Sequence, residues 1–207
     1  MAVEASECRL TKLEVARSQL GTALWLYLED LDPVSIHTLI GAAGEIAEHL
    51  ARDVGQSPFI EHVLKTNPDM TPKGYYVLAR QFYNAFKHLR ANDGSLRNDD
   101  ALLAEFEDYH NDAPLFVAWT DYMAAAGSAP IEAQVFQAWF FASHPDKMAT
   151  DEIALKYLAA FPMLDGLSRF ERKRALKAQI SLVRMNEEVM SDHRTDRRAL
   201  LLNGTRR

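Results

Sequence analysis

The chain has 207 residues, of which 48% are hydrophobic and 25% are charged, and this balance excludes disordered and fibrous proteins in favour of a globular fold. Its formal charge of −6 differs from the basic character of most nucleic-acid-binding domains, so we expect no DNA partner. The single cysteine, Cys8, excludes an internal disulfide framework and a cysteine-based zinc knuckle.

The N-terminal segment MAVEASECRL lacks the basic start and the apolar core of a signal peptide. No apolar run in the chain approaches the roughly eighteen residues that a membrane span requires. We therefore expect a cytoplasmic protein that makes no membrane contact.

The first two helices are predicted from apolar residues that recur at steps of three and four. The first covers Leu10 to Leu28, and the second runs from Pro33 to about Arg52. Asp32 can cap the second helix by accepting hydrogen bonds from its free amides, and Pro33 suits the first helical position.

A third strong helix is predicted after a short helix near residues 59–65. Thr71 and Pro72 open it, and its apolar periodicity continues to about Arg90. Residues 92–95 read Asn-Asp-Gly-Ser, which is typical of a turn, and the stretch 92–98 is the best candidate for a boundary inside the chain.

The second half of the chain continues with helical patterns. Helices are predicted over residues 99–110, 112–126, 130–141, 152–161 and 168–190, and the basic tail 192–207 is predicted to fray. No segment shows sustained β-type alternation. We expect one all-α domain over 1–207, in which the first half forms an antiparallel helical bundle and the second half adds a smaller helical layer.

Charge is distributed unevenly along this predicted fold. Residues 166–207 hold eleven Lys and Arg against five Asp and Glu, so the end of the chain is basic and the body is acidic. Such a distribution favours ion pairs inside the chain or between subunits over contact with nucleic acid.

The polar face of the third helix carries the first candidate site. Asn84 and His88 are four residues apart and share one face, with Arg80, Gln81 and Lys87 beside them. These groups could bind phosphate or a ribose hydroxyl, and the unperturbed pKa of a histidine, about 6.5, suits a proton shuttle. The alternative is that this is the solvated face of an amphipathic helix.

Residues 83–88 read Tyr-Asn-Ala-Phe-Lys-His, which resembles the Arg-Asn-x-x-x-His signature of HEPN domains. The resemblance implies either metal-independent RNA cleavage at a dimer interface or an inactive nucleotide-binding domain. It makes His88 the general acid and base and lets Asn84 position the phosphate. Arg80 would have to supply the positive charge, because Tyr83 stands where the family has arginine.

A second resemblance joins two separate blocks of the sequence. Residues 32–39 read DPVSIHTL, and together with the Asn84 and His88 pair they resemble an uncharacterised bacterial family of helical proteins. This resemblance implies no particular activity.

His37 on the second helix is the other candidate. It lies close in azimuth to Gly41, Gly44 and Glu48, and two helical glycines on one face, each costing about 1 kcal/mol relative to alanine, suggest close approach of another group. That group could be a helix, a subunit or a ligand. His37 and His88 could then face a shared groove.

Metal and cofactor sites are not predicted. The Glu-x-x-His spacing of di-iron bundles occurs once, at Glu107 and His110, whereas such a centre needs it on two helices. The chain also lacks the glycine-rich phosphate loops and the His-Glu-x-x-His motif.

Two hypotheses follow. The first is a helical binding or interaction protein, a homodimer, whose polar groove near His37, Asn84 and His88 holds a small ligand or a partner, with Glu48, Gln81 and Lys87 as further contacts. The alternative is a HEPN-like ribonuclease or nucleotide-binding domain that uses His88, Asn84 and Arg80 on RNA.

Overall fold

The computed structural model describes residues 10–91, 93–145, 152–162 and 164–202, and Cys8 lies outside them. These residues form eleven α-helices, one short 3₁₀ helix at Asp108–Asn111 and two strands of two residues, so the fold is all-α as predicted. The helices are α1 (Lys12–Leu28), α2 (Pro33–Asp53), α3 (Phe59–Thr66), α4 (Pro72–Ala79), α5 (Gln81–Lys87), α6 (Asp100–Ala104), α7 (Asp112–Ala126), α8 (Ile131–Ser143), α9 (Glu152–Ala160), α10 (Arg169–Val183) and α11 (Glu187–Ser191).

The predicted start of α2 is confirmed. Asp32 accepts hydrogen bonds from the amides of Val34 and Ser35 at 3.2 and 3.0 Å, and Pro33 occupies the first turn. The hydrogen bond from the Ser35 side chain, together with those from the Ser35 and Val34 amides, lowers the pKa of the Asp32 carboxyl. The start of α1 is fixed in a similar way, because Thr11 and Glu14 form a capping box.

The core lies where α1, α2, α7 and α8 meet. α2 packs against both α1 and α7, and aromatic side chains of α7 and α8 fill the centre. Phe116 stacks on Phe140 with 4.4 Å between ring centroids, and Tyr27 meets the Phe136 ring edge-on at 5.4 Å. The antiparallel arrangement and the single-domain organisation stay predictions.

The third helix is not continuous, so the prediction of one helix from Thr71 to Arg90 is wrong. The chain leaves helical geometry at Arg80 (φ −110°, ψ 8°), between α4 and α5, and α5 ends at Lys87. The break lets α5 turn Phe82 and Tyr83 onto α2, where both rings are buried. Burial of these two rings outweighs the propensity for an uninterrupted helix.

The helix predicted over 99–110 is also wrong in part. α6 stops at Ala104, and the chain continues through a loop into the 3₁₀ helix at Asp108–Asn111. Phe106 in that loop packs edge-on against Phe86 and His37, with 4.9 and 5.3 Å between ring centroids. This packing requires a change in chain direction that a straight helix would not provide.

The turn predicted at 92–95 forms a small antiparallel link between Arg90 and Leu96. Gly94 takes a positive φ of 83°, and the carboxylate of Asp93 accepts the amide of Ser95 at 2.9 Å. Asn92 itself lies outside the described residues.

The C-terminal tail is ordered over residues 192–202, which is the part of it that the structure describes. β2 (Thr195–Asp196) pairs in parallel with β1 (Ala129–Pro130), and the last predicted helix divides into α10 and α11. Asp196 accepts a hydrogen bond from the buried Arg17 at 2.9 Å. The expectation of fraying is wrong for 192–202, because these contacts fix the segment to α1. Residues 203–207 lie outside the described part.

Three basic residues of α10, Arg169, Lys173 and Lys177, pair with acidic residues of the same chain, as the charge distribution predicted. Lys173 lies 2.7 Å from Asp30, and Lys177 lies 2.9 Å from Glu29. In the described part of the chain, no helix combines the length and the apolar character needed to cross a membrane.

Candidate functional site

A cavity of about 300 Å³ lies between α2, α4 and α7, beside the start of α3 and the break in the chain at Arg80. The lining residues of α2 recur at steps of one, three and four, and so do those of α7. This spacing places the lining residues of each helix on one face, and the two faces border the cavity. The apolar wall comprises Ile40, Gly41, Gly44, Phe59, Ala79, Ala113, Pro114, Val117 and Ala118, and the polar groups are Glu45, Glu48, Tyr75, Tyr76, Arg80 and Asp121.

Small residues on α2 and α7 allow close contact beside the cavity. A Cβ atom at Gly44 would meet the Cβ of Ala118 at 3.4 Å, and one at Gly41 would overlap the Tyr83 ring at 2.3 Å. The close approach predicted from the two glycines is therefore confirmed. Helix α7 lies close to Gly44, and the Tyr83 ring of α5 lies close to Gly41.

Asp121 is the deepest charged group in the cavity wall, with 3% of its surface exposed. Its Oδ1 accepts the amide of Phe59 at 2.7 Å, and among the described residues its carboxyl has no other hydrogen bond. Its other oxygen, Oδ2, forms no hydrogen bond with a described residue and is not fully enclosed, and Asp121 is one of the residues that line the cavity. Burial raises the pKa of Asp121 to about 6.

Glu48 is buried but well paired. One carboxylate oxygen accepts hydrogen bonds from Arg52 at 2.7 Å and from the hydroxyl of Tyr76. The other oxygen lies 3.7 Å from Arg80, whose guanidinium also lies 3.6 Å from Glu45. Glu48 therefore has its charge balanced within the protein.

Two aromatic side chains of α4 complete the polar part of the cavity. The guanidinium of Arg80 lies 4.6 Å from the centre of the Tyr76 ring, close enough for a cation–π contact. Burial, together with the nearby Asp121 and Glu48 carboxylates, raises the pKa of Tyr75 to about 12. Tyr75 therefore stays neutral at physiological pH, and its hydroxyl oxygen can accept a hydrogen bond.

Comparison of the chain with known families, with functionally described proteins and with solved structures gives no match. Functional inference therefore depends on the geometry of the site. Among the described residues, no group of three or more His, Cys, Asp and Glu side chains is placed to hold a metal ion.

His37 is a buried core residue with 3% of its surface exposed. Its Nδ1 lies 2.9 Å from the Oδ1 of Asn111, and the rings of Phe82 and Phe86 pack against it edge-on. Burial lowers the pKa of His37, which favours the neutral imidazole. His37 does not line the cavity.

Asn84 and His88 do not form the polar groove that the sequence predicted with His37. α5 ends at Lys87, so His88 takes an extended conformation and is exposed, whereas Asn84 is half-buried. The predicted groove is wrong because the phenylalanines of α5 pack against the buried His37, whereas His88 lies exposed at the end of α5.

The structure also places the remaining predicted site residues in different locations. Glu48 and Arg80 both line the cavity, whereas Gln81 is half-buried outside it and the exposed Lys87 lies over the Tyr83 ring at 5.2 Å. Arg80 and His88 flank opposite ends of α5, roughly 12 Å apart along the helix axis at 1.5 Å per residue. Within one chain the two residues are therefore well separated, and RNA cleavage stays a prediction from the resemblance alone.

Sequence reasoning missed Asp121, Tyr75 and Tyr76 as site residues. A signal for Asp121 was present, because it is a carboxylate on the same face of α7 as Pro114 and Val117. A charged residue in an apolar stripe either pairs with a buried partner or serves a ligand.

Proposed function

We propose that this protein binds a small, mainly apolar organic molecule in the cavity between α2, α4 and α7. The observation that carries the proposal is the composition of the wall: mostly apolar surface with a few polar groups on the α2, α4 and α7 sides. Ligand sites in proteins commonly have this composition and volumes from about 300 Å³ upwards.

The arrangement of the polar groups supports binding more directly than catalysis. Glu48 is engaged by Arg52 and Tyr76, and Arg80 is held between Glu45 and Glu48. Groups held in this way position a ligand and set its orientation. The apolar wall supplies affinity by removing hydrocarbon surface from water.

The proposal is tested with three probes of similar size and different charge: 2-phenylethanol, 2-phenylethylamine and 3-phenylpropionate. Binding to the purified chain is measured by isothermal titration calorimetry. At least one probe should bind saturably to one site. Absence of binding by all three would contradict the proposal.

A pair of tryptophan variants locates the site. Ala79 is exposed at the rim of the cavity, so Ala79→Trp should obstruct the entrance and weaken binding by more than about tenfold, or 1.4 kcal/mol. Val77→Trp is the matched control, since Val77 belongs to the same helix, is 61% exposed and does not line the cavity. Equal affinity of the two variants would show that the probes bind elsewhere.

A further inference from the structure

We infer that the ligand of this cavity carries a positively charged primary or secondary amine, and that the Asp121 carboxylate is its counter-ion. The inference rests on the proposed function, and it adds the chemical class of the ligand. The geometry behind it is a carboxyl group in the wall of an apolar cavity, with one oxygen held by the Phe59 amide and the other without a hydrogen bond to a described residue.

Asp121 differs from the other buried carboxylates of the described chain. Each of the others forms an ion pair inside the protein, whereas Asp121 forms none with a described residue. The pairs are Glu48–Arg52, Asp112–Arg169 and Glu132–Arg184. Because buried charges in proteins are normally paired, the unpaired Asp121 indicates that its cation comes from outside the chain.

The charge of the cavity wall also favours a cationic ligand. Three carboxyl groups and one guanidinium line it, and that guanidinium, on Arg80, already faces Glu45 and Glu48. An anionic ligand would meet uncompensated repulsion from Asp121, and a neutral ligand would leave the carboxylate without a counter-charge. A cation satisfies the site.

The hydrogen-bond acceptors and aromatic residues of the wall around Asp121 also suit an ammonium group. An ammonium group offers N–H donors, and the Oδ2 of Asp121 and the neutral hydroxyl of Tyr75 are acceptors. The aromatic residues Phe59 and Tyr75 also line the cavity, and aromatic rings attract cations. The apolar remainder of the ligand then lies against the aliphatic wall formed by Ile40 and Val117.

Protonation of Asp121 should control this binding. The groups that face its carboxyl are Glu48 and Arg52 of α2, Tyr75 of α4 and the amide of Phe59 at the start of α3. A bound ammonium stabilises the ionised carboxylate, so binding should release a proton below about pH 6. The preference for amine over alcohol should then fall by up to about tenfold per pH unit below that value.

The experiment compares 2-phenylethylamine with 2-phenylethanol, which has nearly the same shape and no charge. The wild-type chain should bind the amine at least about tenfold more tightly near pH 7. Asp121→Asn should remove this preference by weakening the binding of the amine, while an asparagine oxygen still accepts the Phe59 amide and keeps the wall in place. Asp69→Asn is the matched control: it changes the charge equally in an exposed loop and should keep the preference.

The outcomes separate this inference from the proposed function. If the alcohol binds as tightly as the amine to the wild-type chain, the cavity binds ligands but the amine inference is wrong. If no probe binds, the proposed function is wrong. Should Asp121→Asn fail to fold, the wild-type preference measured from about pH 5 to pH 8 decides the matter, since a preference independent of pH would overturn the role of Asp121.

Discussion

Burial of the Asp121 carboxyl destabilises the ligand-free protein when the carboxyl is ionised. The pH dependence of this effect follows from the pKa of Asp121. The pKa is about 6 in the folded chain, against an ordinary value of 3.8, because burial disfavours the charged form. Between these two values the folded protein holds a proton that the unfolded chain has lost. Stability therefore decreases as pH rises through this window, by up to about 3 kcal/mol in total.

Asp121→Asn should consequently stabilise the ligand-free protein near pH 7 and leave its stability near pH 3.5 almost unchanged. We expect a gain of about 1–3 kcal/mol in the free energy of unfolding, since the substitution removes the buried charge and keeps the hydrogen bond to Phe59. Urea unfolding at both pH values measures it, with Asp69→Asn as the control. A loss of stability near pH 7 would indicate that the carboxylate has a cationic partner within the protein.

The residues of the site could be predicted only in part from the sequence. Glu48 and Arg80 were predicted because helical periodicity placed them on polar faces, and the structure brings them to one cavity. His37 was misassigned because periodicity gives an azimuth and not the identity of the neighbouring element. The rings that bury His37 come from α5 and from the loop at Phe106, far away in sequence.

At the scale of secondary structure, local signals sufficed where a helix is capped and packs along its whole length. Asp32 and Pro33 fix the start of α2, and the predicted segment over 112–126 corresponds to α7. Prediction failed where tertiary packing requires a bend, as at Arg80. The periodicity of apolar residues cannot predict such a bend. The bend depends on which surface of the folded protein the following helix packs against.

The two glycines of α2 that face its neighbours should respond in opposite ways to alanine. At Gly41 a Cβ would lie 2.3 Å from the Tyr83 ring, so Gly41→Ala should destabilise the protein by about 1–3 kcal/mol. At Gly44 a Cβ would meet Ala118 at 3.4 Å, an ordinary contact, and the substitution should stabilise the helix by up to about 1 kcal/mol.

Thermal unfolding of the two alanine variants provides the measurement, and each serves as the control for the other. Because Gly44 lines the cavity, Gly44→Ala should also reduce the space available to a ligand and weaken probe binding. Equal effects of the two substitutions on stability would contradict the packing described around α2.

At the scale of the whole molecule, the end of the chain is bound to its beginning. The guanidinium of Arg17 in α1 is fully buried and donates to the carbonyls of Ala199 and Leu200 at 3.1 and 3.0 Å as well as to Asp196. The carbonyl of Leu200 packs directly over Gly21, where a Cβ would lie 2.3 Å away. The sequence shows a basic tail, but it cannot show that α1 receives it through a buried arginine. The predicted homodimer stays a prediction.

Asp196 stabilises this contact between the end of the chain and α1 through its ion pair with Arg17. Burial alone would raise its pKa, but hydrogen bonds from Arg198 and Arg17 outweigh that effect and hold the pKa of Asp196 at about 2. This stabilising contribution is complete above the unfolded value of 3.8 and is lost as the pH falls towards 2. Acid should therefore release the tail from α1 before it affects contacts among apolar side chains.

Asp196→Asn should destabilise the protein by about 3 kcal/mol near pH 7, because it leaves the buried Arg17 without a counter-charge. Asp192→Asn is the matched control in the same tail: its carboxylate pairs with Arg194, whose side chain is 61% exposed, so we expect a loss of less than about 1 kcal/mol. Urea unfolding of both variants measures the difference.

Hydrogen exchange should also show faster exchange in α1 for Asp196→Asn than for the control, since that helix loses its contact with the end of the chain. Equal losses in the two variants would mean that the tail is held by backbone and apolar contacts instead of by this ion pair.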